Sequence, residues 1–347
     1  MKYKLLGRSG LRVSELCLGT MTFGEDSGYG ADRAESERIF HAFREAGGNF
    51  FDTANLYGGG RSEEYLGELA KPVRLEVVLA TKYTLHDRPG DPNSGGNHRK
   101  NLVQSVEGSL RRLRTEYVDL LYVHDWDFMT PVEEVMRALD DLVRAGKVLY
   151  LGISNTPAWV VAGANTLAEV RGWTPFVGLQ VEYNLLQRTA DRDLLPMAEA
   201  FDVGVTVWGP LAGGALTGKY LLPQPEIGRL ALKPGTPRLN RRSQGIARRV
   251  VRIAGRLGCS PAHVALNWLR RRRLIPVFGA RTAEQLRENL RCLEVGLSDG
   301  DVRSLDRATR IELGFPHDYL RQEAVRRYIF GGTYEAIENH RRREGDP

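Results

Sequence analysis

Residues 118–155 read VDLLYVHDWDFMTPVEEVMRALDDLVRAGKVLYLGISN and hold one complete structural period. Val118–Val123 is a short, almost wholly apolar run that ends at His124, as expected for a strand buried on both faces. Thr130-Pro131-Val132-Glu133 has the form of a capping box with proline at the first helical position. Val132, Val135, Met136, Leu139, Leu142 and Val143 then recur at helical spacing, and Gly146 stops the helix. Val148–Ile153 is apolar again and ends at Ser154-Asn155. Strand, crossover helix and strand in this order predict parallel pairing with right-handed connections.

The same period recurs on either side. Asp32 and Glu35 have capping-box spacing, Ile39, Phe40, Phe43 and Ala46 share a helical face, and Gly47-Gly48 ends that helix before Asn49–Asp52. Eight strand cores are expected, at Leu16–Leu18, Asn49–Asp52, Val77–Thr81, Val118–Val123, Val148–Ile153, Val177–Gln180, Val205–Val207 and Leu274–Val277. Eight units favour an α/β fold closed as a (β/α)8 TIM barrel over an open sheet. Ahead of the first strand, Lys4-Leu5-Leu6 and Arg12-Val13 flank Gly7-Arg8-Ser9-Gly10, a β-hairpin suited to cap the barrel bottom. Long loops are expected after strands 3 and 7, at residues 84–100 and 209–240, with a further segment at 314–347. Such loops usually serve the active site. No linker divides residues 1–347, so a single barrel domain is expected.

Composition narrows the classes. The chain is 42% hydrophobic and 27% charged, which suits a globular protein rather than a disordered one. No apolar run approaches the ~18 residues of a membrane span, and the N-terminus lacks a signal-peptide core. Cys17, Cys259 and Cys292 form no CxxC pair, so no disulfide framework or zinc site is suggested, and a cytoplasmic location is expected. A net charge of +6 raises nucleic-acid binding as a possibility. The runs Arg270–Arg273 and Arg341–Arg343 have no interleaved aromatics, so they read as solvated helix faces.

In such a barrel the chemistry sits at the C-terminal ends of the strands. Those ends present Asp52 with Tyr57 beyond it, Thr81-Lys82, His124, Ser154-Asn155, Gln180 with Glu182 and Tyr183, Trp208-Gly209-Pro210, and Gly279-Ala280-Arg281. Each alone reads as a cap, a surface ion pair or a rim histidine. Together they place a carboxylate, an ammonium, a phenol and an imidazole around one mouth. A lysine beside a tyrosine favours the phenolate and is expected to lower the phenol pKa from about 10. A carboxylate keeps the lysine charged, and the imidazole is placed to donate to a substrate oxygen. The set contains no nucleophile and no metal ligand cluster, so it needs a cofactor to supply a hydride.

The chain resembles the aldo-keto reductase superfamily over essentially its whole length. The resemblance is carried by Leu18-Gly19-Thr20-Met21-Thr22-Phe23-Gly24, Phe51-Asp52-Thr53-Ala54-Asn55-Leu56-Tyr57-Gly58, Ala80-Thr81-Lys82, Val118–His124, Gly152-Ile153-Ser154-Asn155, Gln180-Val181-Glu182-Tyr183-Asn184, Pro210-Leu211-Ala212-Gly213-Gly214 and Gly279-Ala280-Arg281. It is similar to the branch of bacterial general reductases and potassium-channel β subunits. The resemblance implies a catalytic tetrad of Asp52, Tyr57, Lys82 and His124, NADPH as cofactor, and a small-molecule carbonyl as substrate. It implies Gly19, Thr20, Met21 and Asp52 near the nicotinamide ribose, and Ser154, Asn155 and Gln180 on the carboxamide. Trp208 would stack on the nicotinamide. Gly209, Pro210, Leu211, Gly213, Lys219 and Arg229 would line the pyrophosphate. Gly279, Arg281, Gln285, Glu288 and Asn289 would hold the adenosine end. Gly209 stands where the family commonly has serine. Arg281 offers a guanidinium fork for a 2′-phosphate at the start of the helix opened by Thr282, which favours NADP over NAD. Trp126 is read as a wall of the substrate pocket.

Competing motifs fail. Gly213-x-x-x-x-Gly218-Lys219 is followed by Tyr220 rather than Ser or Thr, so it is no phosphate-binding P-loop. Gly28-x-Gly30 has Arg33 where a third glycine belongs. The histidines at 41, 86, 98, 263 and 317 show no metal-ligand spacing. Two rival functions stand beside the reductase: a redox-sensing NADPH-binding subunit of a partner protein, and a lyase using Lys82 as a Schiff base.

Overall fold

A computed structural model describes residues 1–25, 30–221 and 238–340. They divide into two compact units, Met1–Thr309 and Arg310–Pro347. The first is the barrel.

β1 (Tyr3–Leu5) and β2 (Arg12–Ser14) form an antiparallel hairpin, with Lys4 opposite Val13. Eight parallel strands close on themselves in the order β10-β3-β4-β5-β6-β7-β8-β9. They are β3 (Cys17–Gly19), β4 (Phe50–Asp52), β5 (Val78–Tyr83), β6 (Val118–Val123), β7 (Val148–Ser154), β8 (Phe176–Glu182), β9 (Gly204–Trp208) and β10 (Ile275–Phe278). The seam between first and last strands is short: Val277 pairs with Cys17, and Phe278 with Leu18. Beyond it, Thr22 Oγ1 donates to the Ala280 carbonyl at 2.9 Å.

The helices of this unit are α1 (Arg33–Glu45), α2 (Arg61–Ala70), α3 (Arg99–Leu113), α4 (Val132–Arg144), α5 (Ala158–Arg171), α6 (Leu194–Ala200), α7 (Arg241–Leu257), α8 (Pro261–Arg271), α9 (Ala283–Leu290) and α10 (Asp299–Thr309). Their apolar faces pack on the outer faces of the strands: Ile39, Phe40 and Phe43 of α1 and Val135, Met136, Leu139 and Leu142 of α4 are all buried. Among the described residues no helix is long and apolar enough to cross a membrane. The second unit carries α11 (His317–Leu320) and α12 (Glu323–Phe330).

Inside the ring a separate cluster joins Cys17, Phe50, Val78, Leu120, Tyr122, Val177, Ile275 and Val277 to Leu6 and Val13 of the hairpin. Filling of the ring by side chains is how such barrels are packed, and the hairpin plugs the N-terminal end as expected.

Two local expectations need correction. Asp32 does cap α1, accepting from Glu35 N at 2.7 Å, but Glu35 turns its carboxylate to Ala283 N and Arg38. α4 begins with Pro131 at the N-cap and has no side-chain cap. Asp127 wins the competition for Thr130: it accepts from the Thr130 amide at 2.9 Å and the Thr130 hydroxyl at 2.8 Å.

Candidate active site

β4 delivers Asp52 at its last residue, and the loop beyond it turns through a 3₁₀ segment at Tyr57–Gly60. β5 delivers Lys82, and His124 follows the last residue of β6. The parallel register of β4 against β5 and of β5 against β6 sets these ends side by side.

Lys82 is 0% exposed, so its ammonium must be met by the protein. Nζ lies 2.5 Å from Asp52 Oδ1, 2.8 Å from the Thr53 carbonyl and 3.4 Å from the Tyr57 hydroxyl. Three acceptors match the three N–H bonds of an ammonium. Asp52 Oδ2 accepts from Gln180 Nε2 at 2.8 Å. The His124 ring meets the Tyr57 ring edge-on, with centroids 5.8 Å apart and planes at 81°.

The protonation states follow. Burial pulls the Lys82 pKa down, but Asp52 and Tyr57 outweigh it and the net shift is upward, so the ammonium persists. For Tyr57 burial dominates: it raises the phenol pKa, and the lowering by Lys82 does not cancel it. The expectation of a net lowering is therefore corrected, because sequence spacing carries no measure of burial. His124 is pushed down to about 3, first by burial and then by the Lys82 charge, so its imidazole is neutral. Its Nδ1 is buried and has no hydrogen-bond partner. The cluster thus joins a protonated phenol, a fixed cation and a neutral imidazole, an arrangement suited to giving a proton to an oxygen bound between Tyr57 and His124.

A sequence profile of the Aldo/keto reductase family matches residues 15–310. This chain belongs to the aldo/keto reductase family. Its relatives include norsolorinic acid reductase of Aspergillus flavus, 39% identical over 96% of this chain and 87% of the relative. An aryl-alcohol dehydrogenase [NADP(+)] of Phanerodontia chrysosporium is 37% identical over 89% of this chain and 86% of the relative. A putative aryl-alcohol dehydrogenase of Saccharomyces cerevisiae is 36% identical over 90% and 87%.

Members of the aldo/keto reductase family are expected to hold a nicotinamide dinucleotide, and the residues present fit one at the nicotinamide end. Ser154 Oγ is buried and unpartnered at the end of β7. Asn155 spends both amide N–H bonds on the His124 carbonyl (3.1 Å) and Asp125 Oδ1 (2.9 Å), while its Oδ1 accepts from Trp208 Nε1 at 3.0 Å. One lone pair of that oxygen remains to accept a further hydrogen bond. Trp208 is partly buried at the end of β9, and Met21 is 41% exposed, both offering apolar surface at the rim. Gly19 pairs with Asp52, whereas Thr20 is fully buried, with its hydroxyl 3.0 Å from the Asp52 carbonyl.

Gly209 has φ +65°, a conformation side chains rarely adopt, and its carbonyl accepts from Asn184 Nδ2 at 2.9 Å. Glycine in place of serine therefore suits the backbone here. Pro210 is buried, Leu211 packs on the core, Gly213 turns at φ +67°, and Lys219 Nζ lies 5.2 Å from the centre of the Tyr220 ring. A cavity of about 430 Å³ adjoins this stretch, lined by Glu182, Asn184, Ala212, Arg238 and Asn240 among others. Arg229 lies outside the described residues.

Where the adenosine end was expected, Gly279 runs so close to β3 that a Cβ would come within 2.8 Å of the Gly19 carbonyl. Thr282 caps α9, and Gln285 Oε1 accepts from Arg281 N at 2.9 Å. The Glu288 backbone carbonyl accepts from His263 Nε2 at 2.6 Å, and Asn289 is buried. The N-terminus of α9 already holds an anion, since Glu35 accepts from Ala283 N at 2.5 Å. Sequence reading missed this partner because it lies on α1. It also passed over Thr84, whose backbone lies at φ +108°, and Asp125, whose carboxylate accepts from Asn155 Nδ2 at 2.9 Å. Trp126 packs against the core beside the His124 loop, and no contact establishes it as a pocket wall.

Proposed function

We propose that this chain reduces an aldehyde or ketone to the alcohol with NADPH, using Tyr57 as the proton donor. The observation that carries the reading is the fully buried Lys82 ammonium, bonded to Asp52 at 2.5 Å and to the Tyr57 hydroxyl at 3.4 Å. The bound nicotinamide supplies the hydride. Tyr57, kept protonated by burial, gives its proton to the carbonyl oxygen. As the phenolate forms, Lys82 lies within hydrogen-bonding distance to stabilise it, and Asp52 with Gln180 holds Lys82 in place. A neutral His124 donates a hydrogen bond to the same oxygen and orients the carbonyl. Ser154, Asn155 and Gln180 would hold the carboxamide, and Trp208 would flank the ring.

The names of the relatives, a reductase and an NADP(+) alcohol dehydrogenase, support the same reaction class read in its two directions. With its pKa shifted upward, the phenol is protonated at neutral pH, the state that reduction requires of a proton donor. Arg281 supports NADPH through its guanidinium, while Glu35 at the N-terminus of α9 reduces what that helix end contributes. The three bonds made by Lys82 weigh against its use as a Schiff-base nucleophile, which must be unprotonated.

The test is substitution of the phenol. Tyr57→Phe is expected to abolish NADPH oxidation by aromatic aldehydes while NADPH binding, followed by protein fluorescence, persists. Undiminished turnover in that variant would overturn the reading. Tight NADPH binding by the wild type without turnover of any carbonyl would favour a redox-sensing subunit.

A further inference from the structure

Asp125 stands next to His124 at the mouth of the barrel, and its partly exposed carboxylate is held there. Asn155 Nδ2 donates to Asp125 Oδ1 at 2.9 Å, and Asn97 Nδ2 donates to the Asp125 carbonyl at 2.9 Å. Asn155 is itself fixed, because its backbone sits at φ +46°, its N–H reaches the Gln180 carbonyl at 3.2 Å and its Oδ1 accepts from the Trp208 indole. An untethered rim carboxylate would swing into water and be screened. This one is tied through Asn155 to the residue that ends β9. Among the described residues no cation pairs with it. Its charge is felt at the phenol: Asp125 is among the groups that raise the Tyr57 pKa.

We infer that Asp125 is a specificity-determining residue that disfavours carbonyl substrates bearing a carboxylate or other anionic group and leaves neutral or cationic ones preferred. The inference rests on the reductase reading and names the substrate class of that site. An anion brought to the reacting position would approach a fixed like charge in a partly desolvated mouth. Repulsion of this kind corresponds to roughly tenfold in specificity and weakens with salt.

The experiment compares kcat/KM for benzaldehyde and 4-carboxybenzaldehyde with NADPH, in the wild type and in Asp125→Asn, which keeps an acceptor for Asn155. The wild type is expected to prefer benzaldehyde by about tenfold, mainly through KM, with the ratio falling as salt is raised. In Asp125→Asn the ratio is expected to fall to about twofold and lose its salt dependence. A ratio unchanged by the substitution, or a loss of kcat shared equally by both aldehydes, would overturn the inference and leave the reductase reading intact. If Asp125→Asn does not fold, the wild-type salt series decides alone: a ratio insensitive to salt overturns the inference. Consumption of neither aldehyde nor any other carbonyl by the wild type sinks the reductase reading, and the inference falls with it.

Discussion

Gln180 donates its amide N–H to Asp52 Oδ2 at 2.8 Å, from two residues before the end of β8 to the end of β4. In the closed order these strands stand four places apart in either direction, so the bond crosses the mouth of the barrel. Each Asp52 oxygen thereby has a donor, one the ammonium it pairs with and the other an amide from the opposite wall. Replacing Gln180 with Leu leaves a buried carboxylate oxygen without its donor. The expected cost is about 1–3 kcal/mol in stability, read from urea unfolding. A variant as stable as the wild type would mean that Asp52 finds another donor.

The Asp52–Lys82 pair is fully buried, which makes removal of either partner more harmful than removal of both. Lys82→Met alone is expected to lose about 3–5 kcal/mol, because it strands a buried carboxylate. Lys82→Met with Asp52→Leu is expected to recover most of that stability and none of the activity. Urea melts and NADPH oxidation on the three proteins check both halves.

The direction of the Tyr57 shift fixes a pH profile. A proton donor must be protonated, and burial holds this phenol above its ordinary pKa. Reduction should therefore run level from about pH 6 through pH 9 and decline only above about pH 10. Lys82, also shifted upward, stays charged across the same window. Measurement of kcat/KM against pH tests this, and a decline centred near pH 7 to 8 would show that the phenol pKa is lowered instead.

Thr84 has φ +108°, a genuine outlier for a β-branched residue, two positions after Lys82. Its hydroxyl accepts from Asn97 Nδ2 at 2.9 Å and from the His124 amide at 3.3 Å, and its carbonyl accepts from Gly96 N at 2.8 Å. Such strain persists only where surroundings over-determine it. Thr84→Val keeps the shape and removes the acceptor, so the His124 amide is left with only its bond to the Tyr83 carbonyl at 3.1 Å. A fall of about tenfold in kcat with KM little changed is expected, with recovery in Thr84→Ser. Equal losses in Val and Ser variants would place the effect in packing.

The alternation of apolar runs and helical faces made the barrel readable. Val118–Val123 was expected and observed with the same ends, and the other strand cores fell within two residues at each end of the observed strands. The meeting of Asp52, Tyr57, Lys82 and His124 at one end of the barrel was legible because strand ends converge in any such barrel. What was illegible depends on competition. Thr130 was lost as a cap because Asp127 bonds it first. The Tyr57 shift depends on a balance between burial and one cation, and spacing supplies only the cation. Thr84 and Asn155 take left-handed backbones without being glycine, which no residue pattern announces.

The two-residue seam between β3 and β10 has a consequence for synthesis. Until Ile275–Phe278 has left the ribosome, the seven preceding barrel strands present two bare edges, since closure joins the beginning of the unit to nearly its end. Contacts so distant along the chain form late, and unpaired edges recruit other chains. The nascent protein is accordingly most vulnerable to aggregation just before its final strand emerges. A truncated product ending ahead of residue 275 should be found in the insoluble fraction, whereas one ending after Thr309 should not.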